Sequence, residues 1–424
     1  MAREYKDSGI EWIGQIPKEW EVCPHKHIMF KKKEIQEHYA GQDIISLTMN
    51  GVVVRDLDAG GKMPLSFDGY QIIYPNNLLL CLFDIDVTPR CVGLINNYGV
   101  TSPAYSQFVV KEKGYPPYYD YLLRYMDDHK CLLHLSKNLR SSLTETDFGQ
   151  IKTCIPPYTE QQKIADYLDK VCGEVDEMVA LQETMIEELK AYKQSVITEA
   201  VTKGLNPNVS MRNSGIDWIG EIPEHWEVQP FKWILRKPLQ YGANESGLLY
   251  DESLPRYVRI TDILNNCLRE DLQKQSLTEE QADGYILEEN DILFARSGGT
   301  VGKAFIYKKE YGRCAFAGYL IRAQINSNCC PDYVYYYTQS QSYEEWKRQI
   351  FIQATIQNIG ADRYSLMELP VPPFTEQRAI ASYLDTKCSE IDSLIALKQA
   401  KIEELKEYKK SVIYEYVTGK KEVC

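Results

Sequence analysis

The chain has 424 residues, of which 44% are hydrophobic and 25% are charged, as expected for a water-soluble protein of two or three domains. Its formal net charge is −12, which excludes a protein that holds nucleic acid by bulk positive charge. No run of about 18 apolar residues is present, which argues against a membrane span. Because the polar start also lacks an apolar signal core, a cytoplasmic location is expected.

The twelve cysteines are spread along the chain without any C-x-x-C pair. Zinc sites need pairs of ligands at turn-compatible spacing, and no such pairs are found. We therefore expect free thiols in a reducing compartment and no metal site.

A motif at the start of the chain reappears in its middle. The segment DSGIEWIGQIPKEWEV (7–22) recurs as NSGIDWIGEIPEHWEV (213–228). A second pair of segments, 155–202 and 371–418, is identical at 28 of 48 aligned positions. Such an internal repeat indicates a duplicated module.

The regions between the repeats, roughly 23–154 and 229–370, show almost no resemblance to each other. Each alternates short apolar runs with Gly, Pro and Asn, and each then has a helical pattern, so both are predicted to be α+β domains. The strands are predicted at 43–48, 78–83, 257–263, 291–296 and 303–308, and the helices at 118–129 and 332–350.

Each copied C-terminal segment predicts one long helix. It begins with Pro-Pro followed by Thr159 or Thr375, which are predicted N-caps. Apolar residues then recur at three- and four-residue spacing for about 40 residues, or about 60 Å of helix, as in a coiled coil. Lys193 and Lys409 interrupt this stripe at equivalent positions. Because each helix alone would expose its stripe, the two are expected to pack antiparallel about a pseudo-two-fold axis.

The predicted fold class is therefore α+β, with two globular domains separated by two long antiparallel coiled-coil helices. Charge is unevenly divided: the first domain carries 17 basic and 19 acidic residues, and the first helix carries 5 and 10. A DNA-binding face could be only locally basic, so a partner is expected to supply part of the phosphate contacts. The predicted segments are 1–154 and 205–370 for the domains and 155–204 and 371–424 for the helices.

The stretch Ala-Arg-Ser-Gly-Gly-Thr-Val-Gly-Lys at 295–303 is the most suggestive loop. Its glycines allow close backbone approach to a phosphate, and its polar side chains supply donors, although the Walker A spacing is not met. A plain glycine-rich hairpin is the alternative. Because Arg, Asn and Gln are residue types that read base edges, the candidate DNA-binding residues of this domain are Arg296, Ser297, Gly298, Gly299, Thr300, Lys303, Arg259, Thr261, Thr355, Gln357 and Asn358. The corresponding candidates of the first domain are Thr88, Arg90, Tyr105, Asn138 and Arg140.

Two segments also come close to an enzyme motif. Ile-Pro-Pro-Tyr (155–158) and Val-Pro-Pro-Phe (371–374) come close to the motif of amino-methyltransferases, but Ile and Val cannot offer a polar group to the target amine. No glycine-rich cofactor loop follows a strand, and no carboxylate cluster suits a nuclease. No catalytic residue is therefore predicted. Two alternatives stay open, namely a coiled-coil scaffold that binds only protein and a stand-alone DNA enzyme.

Taken together, these motifs resemble the specificity subunit of type I restriction–modification enzymes. The features that match are the Trp-Ile-Gly-x-Ile-Pro-x-x-Trp start, Ile-Ala-x-Tyr-Leu-Asp near each helix start, Leu-Lys-x-Tyr-Lys-x-Ser-Val-Ile near each helix end, and Leu-Phe-Ala-Arg-Ser-Gly-Gly-Thr-Val-Gly-Lys in the second domain. The resemblance covers essentially the whole chain in the expected order.

The resemblance implies two target-recognition domains, each reading one half of a split DNA site, with the helices setting the unread gap. It also implies two methyltransferase subunits, which would dock along the paired helices and the recognition domains, hold S-adenosylmethionine and methylate a flipped adenine. Restriction subunits could join them. It assigns no catalysis and no cofactor to this chain. The first domain has Phe-Asp-Ile-Asp-Val-Thr-Pro-Arg (83–90) where the Arg-Ser-Gly-Gly loop would be. The two half-sites are therefore expected to differ, and Asp84 and Asp86 disfavour phosphate contact there.

Overall fold

A computed structural model of the chain describes residues 3–58, 64–88, 90–134, 141–264, 267–352 and 357–423. The chain divides into two compact units: unit 1 is Met1–Gln182 with Ala400–Cys424, and unit 2 is Glu183–Gln399. This is a division by packing, so the functional boundaries after 154, 204 and 370 remain a prediction. None of the described helices is long and apolar enough to cross a membrane. The eleven described cysteines are free thiols.

Among its described residues, unit 1 has twelve short strands and three short α-helices before the first long helix, which continues into unit 2. The strands are β1 Tyr5–Asp7, β2 Gln15–Pro17, β3 Glu21–Pro24, β4 Met29–Lys32, β5 Ile45–Thr48, β6 Gly51–Val54, β7 Gln71–Ile73, β8 Leu78–Leu80, β9 Val92–Leu94, β10 Gly99–Thr101, β11 Ser106–Val110 and β12 Lys152–Ile155. The helices are α1 Pro116–Asp128, α2 Cys131–His134, α3 Glu145–Gln150 and α4 Tyr158–Lys203.

The centre of unit 1 is an antiparallel sheet with the strand order β4-β11-β8-β9. Its apolar run Leu78–Leu80 is fully buried, as expected for a strand that is covered on both faces. Leu122 of α1 belongs to the same core, which continues into Leu168 of α4. Val417, at the far end of the chain, completes this core.

Unit 2 repeats this pattern with more strands. Its strands are β13 Met211–Asn213, β14 Glu221–Pro223, β15 Glu227–Pro230, β16 Gln240–Tyr241, β17 Leu248–Leu249, β18 Arg256–Val258, β19 Ile263–Leu264, β20 Cys267–Leu268, β21 Gln275–Ser276, β22 Ile292–Ala295, β23 Ala304–Ile306, β24 Cys314–Phe316, β25 Leu320–Ala323 and β26 Glu368–Val371. Its helices are α5 Glu279–Ala282, α6 Pro331–Tyr337, α7 Gln341–Ile352, α8 Ala361–Ser365 and α9 Phe374–Val417, the last of which ends in unit 1.

The central sheet of unit 2 has the order β16-β25-β22-β23 and is also antiparallel. It therefore matches the sheet of unit 1 strand by strand, although the two sequences show almost no resemblance. Unit 2 adds a second sheet of order β17-β21-β18-β24, in which β18 and β24 run parallel. The repeat thus extends from the helices into the globular domains.

The two long helices have 46 and 44 residues. Within unit 1, Lys409 binds Asp176 with a nitrogen–oxygen distance of 2.6 Å, and within unit 2, Lys193 binds Asp392 at 2.7 Å. These residues are equivalent in the repeat, so each helix supplies one lysine and one aspartate. The lysines that interrupt the apolar stripe are thus satisfied by the opposite helix, and the predicted α+β fold with antiparallel coiled-coil helices is confirmed.

The predicted N-caps were wrong. The helices begin at Tyr158 and Phe374, one residue before the threonines, because the preceding proline already has a backbone angle suited to a helix start. In α4, the carbonyl of Pro157 accepts the amide of Gln161 at 3.0 Å. The side chain of Gln161 then anchors the first turn, since its amide nitrogen donates to the carbonyl of Pro156 at 2.9 Å.

Two other predicted elements are broken. The predicted strand 257–263 bends after β18, because the Asp262 carboxylate accepts the backbone amide of Arg259 at 2.8 Å and closes a turn. The predicted helix 332–350 is two helices, α6 and α7. Ser340 separates them, since its hydroxyl accepts the amide of Tyr343 at 3.2 Å and caps α7.

Candidate nucleic-acid interface

The two globular domains hold their helices by matching contacts. In unit 1 the hydroxyl of Tyr118 on α1 donates to the carbonyl of Val417 at 2.9 Å. In unit 2 the hydroxyl of Tyr333 on α6 donates to the carbonyl of Val201 at 3.1 Å. All four residues are buried. A rigid, buried attachment of this kind positions the loops at the edge of each sheet in the same way.

The loop singled out in the sequence connects β22 to β23 in unit 2. It is closed by backbone bonds, since the amide of Ala295 donates to the carbonyl of Lys303 at 2.9 Å and the amide of Gly302 donates to that of Ala295 at 2.8 Å. Gly298 and Gly299 are exposed, and a Cβ on either would meet no atom within 4 Å. The tip of the loop is therefore open to a ligand.

Arg296 is the best-placed of the predicted residues. Its guanidinium lies over the ring of Tyr241, 4.9 Å from the ring centroid, which orients the side chain by a cation–π contact. Its Nε is buried and has no hydrogen-bond partner among the described residues. A buried cationic donor without a partner favours the binding of a phosphate or a base-edge acceptor.

Two tyrosines beside Arg296 were missed in the sequence. The carbonyl of Tyr319 accepts the amide of Arg296 at 3.0 Å, and its side chain is 62% exposed. Tyr241 is 41% exposed. Large exposed aromatic rings around a cation are typical of nucleic-acid surfaces. Tyr319 directly precedes β25, as the predicted Tyr105 precedes β11, but this signal appears only once the strand register is known.

The polar segment before the second long helix also reaches this loop. Asn358 forms an isolated bridge with Ser297, and the amide of Ile359 donates to the carbonyl of Arg296 at 2.9 Å. Gln357 and Asn358 are exposed. The structure therefore brings this predicted pair together with the glycine-rich loop.

The remaining candidates around the loop tip have mixed surroundings. Lys303 is exposed and Thr300 is half-buried. Thr355 lies outside the described residues.

Arg259 is already bound inside unit 2. Its Nε and Nη2 donate to the two carboxylate oxygens of Asp262 at 3.0 and 2.9 Å, and this hydrogen bonding raises the pKa of Arg259. Thr261 in the same turn is exposed. The turn is close to the candidate loop. The carbonyl of Val258, directly before Arg259, accepts the amide of Ala317, and Ala317 lies two residues before Tyr319. The DNA contact of these two residues stays a prediction.

The equivalent loop of unit 1 connects β8 to β9 and has different chemistry. It is closed by the amide of Cys81, which donates to the carbonyl of Cys91 at 2.8 Å. The amide of Thr88 donates to the carbonyl of Asp84 at 2.9 Å, and Asp86 is exposed. This loop therefore carries a half-buried Asp84 and an exposed Asp86, whereas the loop of unit 2 carries Arg296.

The other unit 1 candidates lie around this loop or outside the described residues. Tyr105 is half-buried and stacks on Phe83, with ring centroids 6.3 Å apart. Arg90 is half-buried. Burial raises the pKa of Asp120, and the positive charge of Arg90 offsets part of that rise. Asn138 and Arg140 are outside the residues that the structure describes.

Comparisons with known proteins show what the chain as a whole is similar to. The sequence profile of the family described as "Type I restriction modification DNA specificity domain" matches residues 245–407. The putative type I restriction enzyme MjaX specificity subunit of Methanocaldococcus jannaschii is 27% identical over 73% of this chain and 69% of its own length. The EcoKI specificity subunit of Escherichia coli is 26% identical over 60% of this chain and 56% of its own length.

Two solved structures have the same fold. A chain from a type I restriction–modification complex is similar with a TM-score of 0.72, at 14% identity, over 95% of this chain and 98% of that one. The HsdS subunit of Thermoanaerobacter tengcongensis is similar with a TM-score of 0.53, also at 14% identity and with the same coverage. These likenesses show that the chain shares the fold of those solved structures. Residues 245–407 match that family's profile, and the chain is similar to specificity subunits of type I restriction–modification systems.

Proposed function

We propose that this chain is the DNA sequence-specificity subunit of a type I restriction–modification complex and that each globular domain reads one half of a bipartite site. The observation that carries the proposal is the pair of equivalent loops. The two loops are built on separate sheets of equivalent strand order. One loop presents Arg296 among exposed tyrosines, and the other presents Asp84 and Asp86. Two reading surfaces of unlike chemistry on one frame suit two unlike half-sites.

The proposal assigns the chemistry to partners. With a net charge of −12, the chain needs a partner that supplies part of the phosphate contacts. We infer that two methyltransferase subunits do so, that they hold S-adenosylmethionine, and that restriction subunits join them in the complete enzyme. This chain contributes recognition and no catalysis, and it works in the cytoplasm beside the host DNA.

The long helices set the distance between the half-sites in this proposal. A helix pair held by buried apolar residues and reciprocal ion pairs keeps a fixed length, because each residue adds about 1.5 Å. Removing one heptad from each helix would shorten the pair by about 10 Å. The unread gap is therefore expected to change while the half-sites stay the same.

Mapping of methylated adenines in the host genome tests the proposal, with and without the gene for this chain. We expect a split motif that disappears with the gene, and a changed gap when one heptad is removed from both helices. A continuous motif, or half-site sequences that change with the deletion, would contradict it. A scaffold that binds only protein would leave the methylation pattern unchanged.

A further inference from the structure

Unit 2 has a groove lined by basic side chains that the candidate reading surface does not include. Lys232, Arg236 and Lys237 lie between β15 and β16, and all three are exposed. They line a groove of about 410 Å³ together with Ala361 and Ser365 of α8. Several cations around one concave surface concentrate anions there, so this groove is a candidate anion site.

Glu288 neutralises only one of these cations. Its carboxylate lies 2.6 Å from the guanidinium nitrogen Nη2 of Arg236. The hydrogen bond with Arg236 is the first cause of the lowered pKa of Glu288, and the charge of Lys237 adds to it. Among the residues that the structure describes, Lys232 and Lys237 form no ion pair of their own, and Asp362 of α8 does not line the groove. The groove therefore keeps an excess of positive charge.

Unit 1 has the same segment with different chemistry. Lys26, Phe30 and Lys31 stand where unit 2 has its three cations, so one cation is replaced by a phenylalanine. The Nζ of Lys31 lies 3.9 Å from the carboxylate of Glu145. The Nζ of Lys26 donates to the side-chain oxygen of Gln150 at 3.4 Å. Both lysines of unit 1 therefore have acceptors on α3.

The short helix that packs against each segment explains the difference. The helices α3 and α8 are equivalent, because each is followed by the strand that pairs with β3 or β15. Unit 2 has Ala361 in place of Glu145 and Leu366 in place of Gln150. Neither of these side chains can accept a hydrogen bond. The two lysines of the groove thus find no such acceptor on α8.

The groove is continuous with the glycine-rich loop. The backbone amide of Ala361, which lines the groove, donates to the hydroxyl of Tyr241 at 3.0 Å. The guanidinium of Arg296 lies over the ring of Tyr241. The amide of Ile359 also donates to the carbonyl of Arg296 at 2.9 Å, and the Cα atoms of Ile359 and Ala361 are at most about 8 Å apart. One extended ligand can therefore contact both Arg296 and the groove.

We propose that this groove binds the phosphate backbone of double-stranded DNA beside the half-site that unit 2 reads, and that unit 1 has no equivalent phosphate site. The inference rests on the proposed function and extends it by dividing the phosphate contacts unequally between the two units. Successive phosphates of one strand are about 3.4 Å apart along the helix axis. The groove thus takes phosphates about two to four nucleotides from the group that Arg296 contacts.

Phosphate contacts in this groove contribute affinity and position without reading the sequence. Lysine suits this role because its ammonium group is a point charge that needs no fixed binding geometry. Unit 2 therefore holds its DNA partly by itself, whereas unit 1 depends on partner subunits for phosphate contacts. Most of the salt dependence that this chain contributes should come from unit 2.

The test uses the full chain assembled with the methyltransferase subunit of the same host, and a duplex that carries the bipartite site found by mapping methylated adenines. Binding constants are measured at several salt concentrations. The double variant Lys232→Gln, Lys237→Gln should bind this duplex about tenfold or more weakly. The slope of the logarithm of the binding constant against that of the salt concentration should become shallower by about 1.8, because each lost phosphate contact removes about 0.9. The methylated half-site sequences should stay the same.

The matched control is Lys26→Gln, Lys31→Gln, which makes the same two changes at the equivalent positions of unit 1. Its affinity should stay within about twofold of the wild type, as for surface substitutions outside an interface. Ala361→Glu is a second variant of unit 2 that keeps all three cations. It introduces the carboxylate that unit 1 has at Glu145, so it should also weaken DNA binding.

The results separate this inference from the proposed function. If the wild-type complex binds and methylates a bipartite site, while the double lysine variant of unit 2 and Ala361→Glu keep the wild-type affinity and slope, the groove does not hold DNA and the function stands. An equal loss in the unit 1 control would refute the asymmetry. If the wild-type complex binds no bipartite site, the proposed function fails, and the groove proposal fails with it.

Inorganic phosphate distinguishes DNA from a free anion as the ligand of the groove. Its binding to the full chain is followed by phosphorus NMR. If the double lysine variant of unit 2 loses phosphate binding but keeps the DNA affinity of the wild type, the groove takes a free anion and the inference is overturned. Loss of DNA affinity with the shallower salt slope supports it.

Discussion

The loop after β8 in unit 1 and the loop after β22 in unit 2 occupy equivalent places in two four-stranded sheets of the same strand order. One is acidic through Asp84 and Asp86, and the other presents Arg296 on Tyr241. Beneath the loops, the buried contacts to the long helices are alike. We call the sheet and its buried attachment to the long helices the frame of each unit. The comparison teaches that the frame can be kept while the reading surface changes, since exposed loops tolerate changes that buried attachments do not.

The strongest test of the shared frame is the loss of a buried tryptophan from either unit. Trp20 and Trp226 are buried, and their indole nitrogens donate to Glu160 at 3.0 Å and to Glu376 at 2.9 Å. Substitution of either by Ala should lower the free energy of unfolding of its own unit by about 4 kcal/mol. Hydrogen exchange, which reports each unit separately, measures this loss.

Trp233→Ala serves as the control, since this side chain is 65% exposed and its loss should change stability by less than about 0.5 kcal/mol. Losses that differ by several kcal/mol between Trp20→Ala and Trp226→Ala would show that the two frames are not equivalent.

The next largest effect separates the units by acid sensitivity. His25 of unit 1 is fully buried against Phe148, and burial lowers its pKa to about 4. Its equivalent in unit 2 is Phe231. Because the unfolded state takes up a proton near the ordinary pKa of about 6.5 and the folded state does not, unit 1 should lose about 3 kcal/mol as pH falls from 6.5 to 4. The loss should level off below pH 4.

His25→Phe, which installs the residue that unit 2 has, should remove this dependence. Hydrogen exchange at several pH values in this range measures it, with unit 2 as the internal reference. An equal acid response in wild type and His25→Phe would assign the effect to other groups.

The smallest predicted effect concerns the reading surfaces themselves. Arg296→Ala should weaken DNA binding by the assembled complex by about 1–3 kcal/mol, because one charged donor to the DNA is lost. Cys81→Ala, at the base of the equivalent loop of unit 1, should leave the affinity unchanged. Binding isotherms at several salt concentrations measure both effects.

Arg348→Ala is a control, since Arg348 is 71% exposed on α7 and pairs with Glu345. Unchanged affinity and salt dependence for Arg296→Ala would remove Arg296 from the interface.

The long helices were predictable because a three- and four-residue apolar period without proline has few other interpretations. The break between α6 and α7 was not predictable. Ser340 separates the two helices and caps α7, but a serine is also tolerated inside a helix, so the sequence alone does not indicate the break. The helix starts were also misplaced, because proline and threonine both suit a helix start and only the backbone distinguishes them.

The candidate site was predictable only where it is local in the chain. The glycine-rich loop was found from its composition, but Tyr241 lies in β16 and Tyr319 directly precedes β25, and both meet Arg296 only in the folded sheet. For Arg259, the sequence could not decide between DNA and the nearby Asp262, since both offer acceptors to a guanidinium. Side-chain contacts that depend on how the strands pair cannot be predicted from composition and residue spacing.

One measurement tests most directly whether each domain reads one half-site. The part of unit 1 between Pro24 and Lys152 is replaced by the part of unit 2 between Pro230 and Glu368, because these residues are paired in equivalent strands. Methylated adenines are then mapped in a host that carries this chain. We expect the first half-site to be replaced by a second copy of the other half-site. Retention of the two original, unlike half-sites would contradict the account.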